Sequence, residues 1–195
     1  MSRLLQHYSA CKTAFFCCDI QEKLESRVAN FANCIHVSNR FAALHTALGD
    51  QHSLFIVTEQ YPKGVGPTSK HIQLPADAHI YPKTQSSMLL PEVLQLVDVP
   101  EVRQVILWGN ETHVCILQTA AALLDIGKKV VVAVDGCGSQ WELDHMTAVQ
   151  LLQAWTRDGC SVSTSESILM QLMKDAGDPL FKKVAALMKD KPPLR

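Results

Sequence analysis

The sequence has no cluster of basic residues. Its 18 Lys and Arg are scattered among 195 residues and balanced by 19 Asp and Glu, for a net charge of −1. Nucleic-acid binding rests on positive charge gathered against phosphates, so no nucleic-acid partner is expected. No apolar stretch approaches the ~20 residues of a membrane span, and no membrane partner is expected. The first residues, Met1-Ser2-Arg3-Leu4-Leu5-Gln6-His7-Tyr8, lack the apolar core and small-residue cleavage site of a secretory signal. The seven cysteines are odd in number and irregularly spaced, which does not fit a disulfide framework. Cys17 and Cys18 sit in an apolar stretch and read as buried free thiols. The expected location is therefore a reducing compartment, the cytoplasm, with the mitochondrion left open.

Metal-ligand patterns are missing too. The eight histidines show no paired spacing, and Thr58-Glu59-Gln60-Tyr61-Pro62 after the second apolar run is poor ligand material. Neither a dinucleotide nor a P-loop fingerprint is present. No metal and no cofactor are expected. No internal repeat, low-complexity tract or linker interrupts the chain, so residues 1–195 are expected to form one domain.

What the chain does contain is an alternation. Apolar, β-rich runs at residues 14–18, 54–57, 105–108 and 130–134 each end at a polar residue or glycine. Their continuous apolar character fits strands covered on both faces, as in a parallel sheet. Weaker runs at 79–81 and 160–163 complete an expected sheet of six. Helical spacing between the runs covers 30–48 and 113–126, with Gly127 as a stop. Ser139 to Glu142 and Ser163 to Glu166 have the capping-box spacing, and Asp178-Pro179 precedes a helix over 181–188. The expected architecture is an α/β, three-layer α/β/α sandwich with right-handed crossovers. The long connection over 59–78 has the length of a functional loop.

Reactive side chains stand just past the ends of these runs, where open α/β sheets bind ligands. Asp19 closes the first run; it reads equally as a turn residue or as a partly buried general base. Lys83 follows the short run at 79–81; such a lysine usually faces solvent. Cys115 falls in the first turn of a helix that follows a strand. There, unpaired N–H groups and the helix dipole favour a thiolate and an oxyanion, although a core cysteine fits the spacing as well. His113 lies two residues from Cys115 and projects in a different direction, so a Cys-His dyad is not expected. Asp135-Gly136-Cys137-Gly138-Ser139 reads as a tight strand-to-helix turn.

Taken in order, Asp19-Ile20-Gln21, Val57-Thr58-Glu59-Gln60-Tyr61-Pro62-Lys63-Gly64, Lys83-Thr84, Glu111-Thr112-His113-Val114-Cys115 and Thr164-Ser165-Glu166-Ser167-Ile168-Leu169 resemble the isochorismatase-like cysteine hydrolases. The resemblance covers nearly the whole chain. It is greatest to the isochorismatase domain-containing branch and the kinetoplastid protein called a MAR1 ribonuclease. It implies a six-stranded parallel sheet in the order 3-2-1-4-5-6, and a catalytic Asp19, Lys83 and Cys115. It further implies a cis peptide between Asn110 and Glu111 that aims the Glu111 and Cys115 amides at an oxyanion. Gln21, Gln60, Tyr61, Ser87 and His113 are the expected substrate-pocket residues. The metal-binding Asp-x-His of the nicotinamidases is replaced by Glu59-Gln60-Tyr61, and the cysteine that isochorismate pyruvate-hydrolases lack is present. The implied reaction is hydrolysis of an amide or related acyl C–N bond in a small molecule through an acyl-enzyme. The alternative is a catalytically idle protein acting in interaction or thiol redox sensing, with Cys137 as one sensor. Apolar Phe181, Val184, Leu187 and Met188 point to a homo-oligomer.

Overall fold

The computed structural model describes residues 4–193. Six strands form one parallel sheet: β1 (Lys12–Cys18), β2 (Ser53–Gln60), β3 (His79–Lys83), β4 (Val102–Asn110), β5 (Lys129–Gly138) and β6 (Cys160–Ser163). Their spatial order is β3-β2-β1-β4-β5-β6, as expected. Ala14 to Cys18 and Val130 to Ala133 are fully buried. This is why these strands are apolar without alternation: both faces of the sheet are covered.

The helices are α1 (Phe31–Leu48), α2 (Pro62–Val65), α3 (Pro91–Val97), α4 (Leu117–Asp125), α5 (Glu142–Ala154), α6 (Ser165–Met173) and α7 (Phe181–Ala186). Right-handed crossovers put α1 on one face and α4 and α5 on the other, because the strand order reverses between β1 and β4. α6 and α7 return to pack beside α1. Beneath α1, Phe41 meets Trp108 at 4.8 Å between ring centroids, and Trp108 Nε1 donates to Ser38 Oγ at 2.8 Å. The buried indole thus keeps its hydrogen bond. No helix among the described residues is long and apolar enough to cross a membrane.

Several local expectations shift. The helix expected over 113–126 opens as a wide π-type turn, Thr112–Ile116, before α4 begins. Ser139 caps nothing, since α5 starts after Trp141 without a side-chain cap; its hydroxyl bonds His113 Nδ1 instead, at 3.0 Å. The cap of α6 is Thr164, which accepts from Ser167 N, one residue later than the expected box. The glycine-rich stretch at 135–138 is the irregular end of β5 rather than a turn. The C-terminal apolar residues are not left open: Val184 is buried, and Phe181, Leu187 and Met188 pack against the core.

Gly109 joins fold to function. It sits opposite Cys18 in the β1–β4 ladder with φ +126°, and a Cβ there would lie 2.0 Å from the Cys18 carbonyl oxygen. Only glycine fits at this close approach. Gly109→Ala is expected to cost about 3 kcal/mol or more, since strain and overpacking add. Urea unfolding measures it, and a cost below about 1 kcal/mol would show that the strands can spread freely.

Candidate functional site

Three chain segments meet where the strand order reverses. β1 ends at Cys18, and Asp19 turns the chain in a left-handed conformation, φ 50°. That turn points a carboxylate, only 1% exposed, over the end of the sheet. Its oxygens are both bonded: Thr58 Oγ1 donates to Oδ1 at 2.8 Å, and Lys83 Nζ meets Oδ2 at 2.7 Å. Cys18 Sγ also donates to Oδ2, at 3.5 Å.

Lys83 closes β3 and is 3% exposed. Besides Asp19, its ammonium reaches Gln60 Oε1 at 2.6 Å, Gln85 O at 3.1 Å, Ser86 O at 3.0 Å and Cys115 Sγ at 3.5 Å. An ammonium has three N–H groups, fewer than these acceptors, so it is fully solvated by protein. Burial opposes its charge, but its electrostatic interactions with Cys18, Asp19 and Cys115 outweigh that and hold its pKa above the ordinary lysine value. It is therefore a permanent cation at working pH.

Cys115 lies in the π-type turn that follows β4, 7% exposed. The Asn110–Glu111 peptide before it is cis. The Glu111 carboxylate accepts from Gln140 N at 2.7 Å and from Gln140 Nε2 at 3.2 Å. The Glu111 carbonyl accepts from Val114 and Ile116 N–H. Asn110 Oδ1 receives Cys34 Sγ at 3.5 Å, while Asn110 Nδ2 is buried without a partner among the described residues. Sulfur and oxygen atoms of Cys18, Asp19 and Cys115 lie within 4.8 Å of one another. This cluster has the make-up of a cation site, and the Lys83 ammonium is the cation in it.

Asp19 and Cys115 face a cavity of about 270 Å³, walled by Gln60, Ser86, Asn110 and Glu111 and by the apolar side chains of Leu24, Val65 and Val114. The volume suits a small molecule. A larger hollow of about 450 Å³, beside Asn33, Glu142 and His145, lies apart from the Asp19–Lys83–Cys115 cluster.

Asp19, Lys83 and Cys115 thus come together, with Gln60, Asn110 and Glu111 around them. Gln21 lies behind the wall. Its Nε2 donates to Gln60 O and Gly66 O at 3.0 and 2.6 Å, and its Oε1 accepts from Gln60 N at 2.7 Å. Tyr61 is 55% exposed and packs its ring over Gly64. Ser87 Oγ accepts from Leu89 N, and its neighbour Ser86 is the residue in the wall. His113 turns away toward Ser139 and, at 3.9 Å, Asp144. Cys137 is buried and donates to Ala133 O at 3.3 Å, in the larger hollow rather than beside Cys115. Sequence reading passed over Cys18 and Thr58. One signal was available for Thr58: it is the first polar residue after the apolar run of β2, level with Cys18 in the ladder.

Residues 13–167 match the model of the isochorismatase domain. Isochorismatase domain-containing protein 1 of Danio rerio is 38% identical over 186 residues, which span 95% of this chain and 64% of that protein. The chain therefore spans less than two thirds of that relative's length. A hypothetical protein from Trypanosoma cruzi superimposes with a TM-score of 0.99 at 68% identity, covering 100% of both chains. A Leishmania major protein with the provisional name MAR1 ribonuclease does so with a TM-score of 0.96 at 46% identity, again over 100% of both chains. On this evidence, and with the strand order and the strand-end cluster described above, the chain belongs to the isochorismatase domain family.

Proposed function

We propose that the chain is a hydrolase that cleaves an amide or related acyl C–N bond in a small molecule, with Cys115 as nucleophile. The observation that carries this reading is the Lys83 ammonium placed between the Asp19 carboxylate, at 2.7 Å, and Cys115 Sγ, at 3.5 Å, with Asp19 and Cys115 lining the cavity. A thiol, a base and a fixed cation in contact are the parts of an activated nucleophile.

In this reading Asp19 takes the Cys115 proton as sulfur attacks the carbonyl carbon. The Glu111 and Cys115 amides bind the oxyanion. The C–N bond breaks, and Asp19 returns the proton to the leaving nitrogen, which departs as a neutral amine. Water then attacks the thioester. Asp19 accepts a proton from that water, the acid leaves, and the proton returns to sulfur. Lys83 stays charged throughout. It holds Asp19 in place and stabilises the thiolate.

Selective alkylation tests the nucleophile. Burial pushes Cys17, Cys137 and Cys160 to about 12. Cys11, Cys18 and Cys34 are raised by burial too. All six are thiols at neutral pH and react slowly. Iodoacetamide at pH 7 is expected to label Cys115 at least tenfold faster than any of them, read by peptide mass spectrometry. Equal labelling of Cys115 and Cys11 would remove the basis for the proposal.

A further inference from the structure

We propose that Cys18 is a resolving thiol for Cys115: when hydrogen peroxide oxidises Cys115, Cys18 closes onto it as a reversible Cys18–Cys115 disulfide. The placement of the two sulfurs carries this inference. Cys18 ends β1 and Cys115 lies in the π-type turn after β4. Yet Cys18 Sγ, Cys115 Sγ and a carboxylate oxygen of Asp19 lie within 4.8 Å of one another. Cys18 Sγ donates to Asp19 Oδ2 at 3.5 Å, and Thr58 Oγ1 donates to Cys18 Sγ at 4.0 Å. The hydrolysis proposed above uses Cys115, Asp19 and Lys83 and has no task for this second sulfur.

The other thiols are placed differently. Side chains alternate along a strand, so Cys17 points to the opposite face of the sheet, where its sulfur meets Ser38 Oγ at 3.7 Å. Cys34 Sγ donates to Asn110 Oδ1 at 3.5 Å, and Cys137 Sγ to the Ala133 carbonyl at 3.3 Å. Cys11 precedes β1 at its far end, and Cys160 opens the edge strand β6.

The two sulfurs of the pair differ in access. Cys18 is fully buried, whereas Cys115 lines the cavity of about 270 Å³. Peroxide entering the cavity therefore meets Cys115 first, and the Lys83 ammonium 3.5 Å from that sulfur favours the reactive thiolate. Burial pushes the Cys18 thiol well above the ordinary cysteine value. Cys18 thus waits as a neutral thiol and needs a base, and the Asp19 carboxylate already accepts its hydrogen bond.

The chemistry balances in two steps. The Cys115 thiolate, its proton held on Asp19, attacks one peroxide oxygen. An S–O bond forms and the O–O bond breaks. The leaving hydroxide takes the proton from Asp19 and departs as water, and Cys115 is now the sulfenic acid. Cys18 sulfur then attacks the sulfenic sulfur. The S–S bond forms, the S–O bond breaks, and the Cys18 proton passes through Asp19 to the departing hydroxide, which leaves as a second water. The two thiols have given two electrons to the peroxide, and Asp19 ends as it began. The sulfurs must still close from contact to bonding distance. Cys18 is tied into the sheet on both sides, level with Thr58 and Gly109, so the movement falls to the turn that carries Cys115. While the bond lasts it removes the nucleophile and keeps Cys115 from advancing to the irreversible sulfinic acid. The inference rests on the reading of Cys115 as a nucleophile, but its readout is mass rather than turnover.

Peroxide treatment at neutral pH, alkylation of the remaining thiols and peptide mapping make the test. The wild-type chain is expected to yield a linked Cys18–Cys115 pair, lighter by two hydrogens and returned to two thiols by dithiothreitol. In Cys18→Ser, which nearly keeps the size of the side chain, Cys115 is expected to gain two oxygens as sulfinic acid, which dithiothreitol does not reverse. Cys18→Ala, which also removes the hydrogen bond to Asp19, is expected to do the same. Three results in the wild type overturn the inference without any variant: sulfinic acid at Cys115 with Cys18 unlinked, a bridge from Cys115 to another cysteine, or a Cys115 that peroxide leaves unchanged. A linked pair in a protein that turns over no amide upholds this inference and counts against the hydrolysis; turnover without a link does the reverse.

Discussion

Cys115→Ala is expected to lower turnover of any amide substrate by roughly 10⁵-fold or more, to a residue supplied by binding and oxyanion contacts alone. The size of the effect follows from what is lost. Without the sulfur, no acyl-enzyme forms, and water must attack an unactivated amide in one step. The fold is expected to survive, because the change removes one atom beside a cavity and leaves the Asp19–Lys83 pair intact. Steady-state rates over a panel of small amides, with circular dichroism as the control for folding, make the measurement. A variant retaining a tenth of wild-type activity would show that Cys115 is not the nucleophile.

Asp19→Asn and Lys83→Ala are expected to move Cys115 in opposite directions. Asp19→Asn removes a negative charge beside the sulfur, so alkylation of Cys115 persists and its pH profile moves to lower pH. Turnover nevertheless falls by roughly two to four orders of magnitude, the usual worth of general acid–base help. Lys83→Ala removes the cation that favours the thiolate, and the alkylation profile moves to higher pH. The sign for Lys83 itself is fixed by its raised pKa. A raised lysine keeps its charge up to and past its ordinary value and loses it only in strongly alkaline solution. The ion pair's contribution to folding is therefore constant through neutral pH and fades only there. Shifts of the same sign in both variants would rule out the proposed geometry.

The sheet was legible because its strands are buried on both faces and so are continuously apolar. The strand ends were not. β2 runs on to Gln60 and β5 to Gly138, since there the sheet exchanges packing residues for polar ones that serve the site, and the apolar signal stops early. Asp19, Lys83 and Cys115 could be singled out because each follows a strand end. Cys18 could not, because a cysteine in Phe15-Phe16-Cys17-Cys18 reads as core until the fold places it beside another sulfur. The C-terminal residues misled for the complementary reason: one amphipathic segment looks uncovered until α1 is seen to lie beneath it.

Gln21 latches the outer wall of the cavity from the inside. Through one side-chain amide it grips both Gln60 and Gly66, and its backbone pairs with Thr68. The segment that shapes the pocket therefore hangs from the end of β1 and contributes little core of its own. Lys83, Asp19 and Cys115 are held by strand ends and a helix turn, and the segment touches them at its head, where Tyr61 N donates to the Lys83 carbonyl at 2.8 Å. Beyond that head, shape and reactivity are mechanically separable. Changes at Val65 or its neighbours can retune which molecule enters without moving the charged cluster, so long as the glutamine keeps its grip.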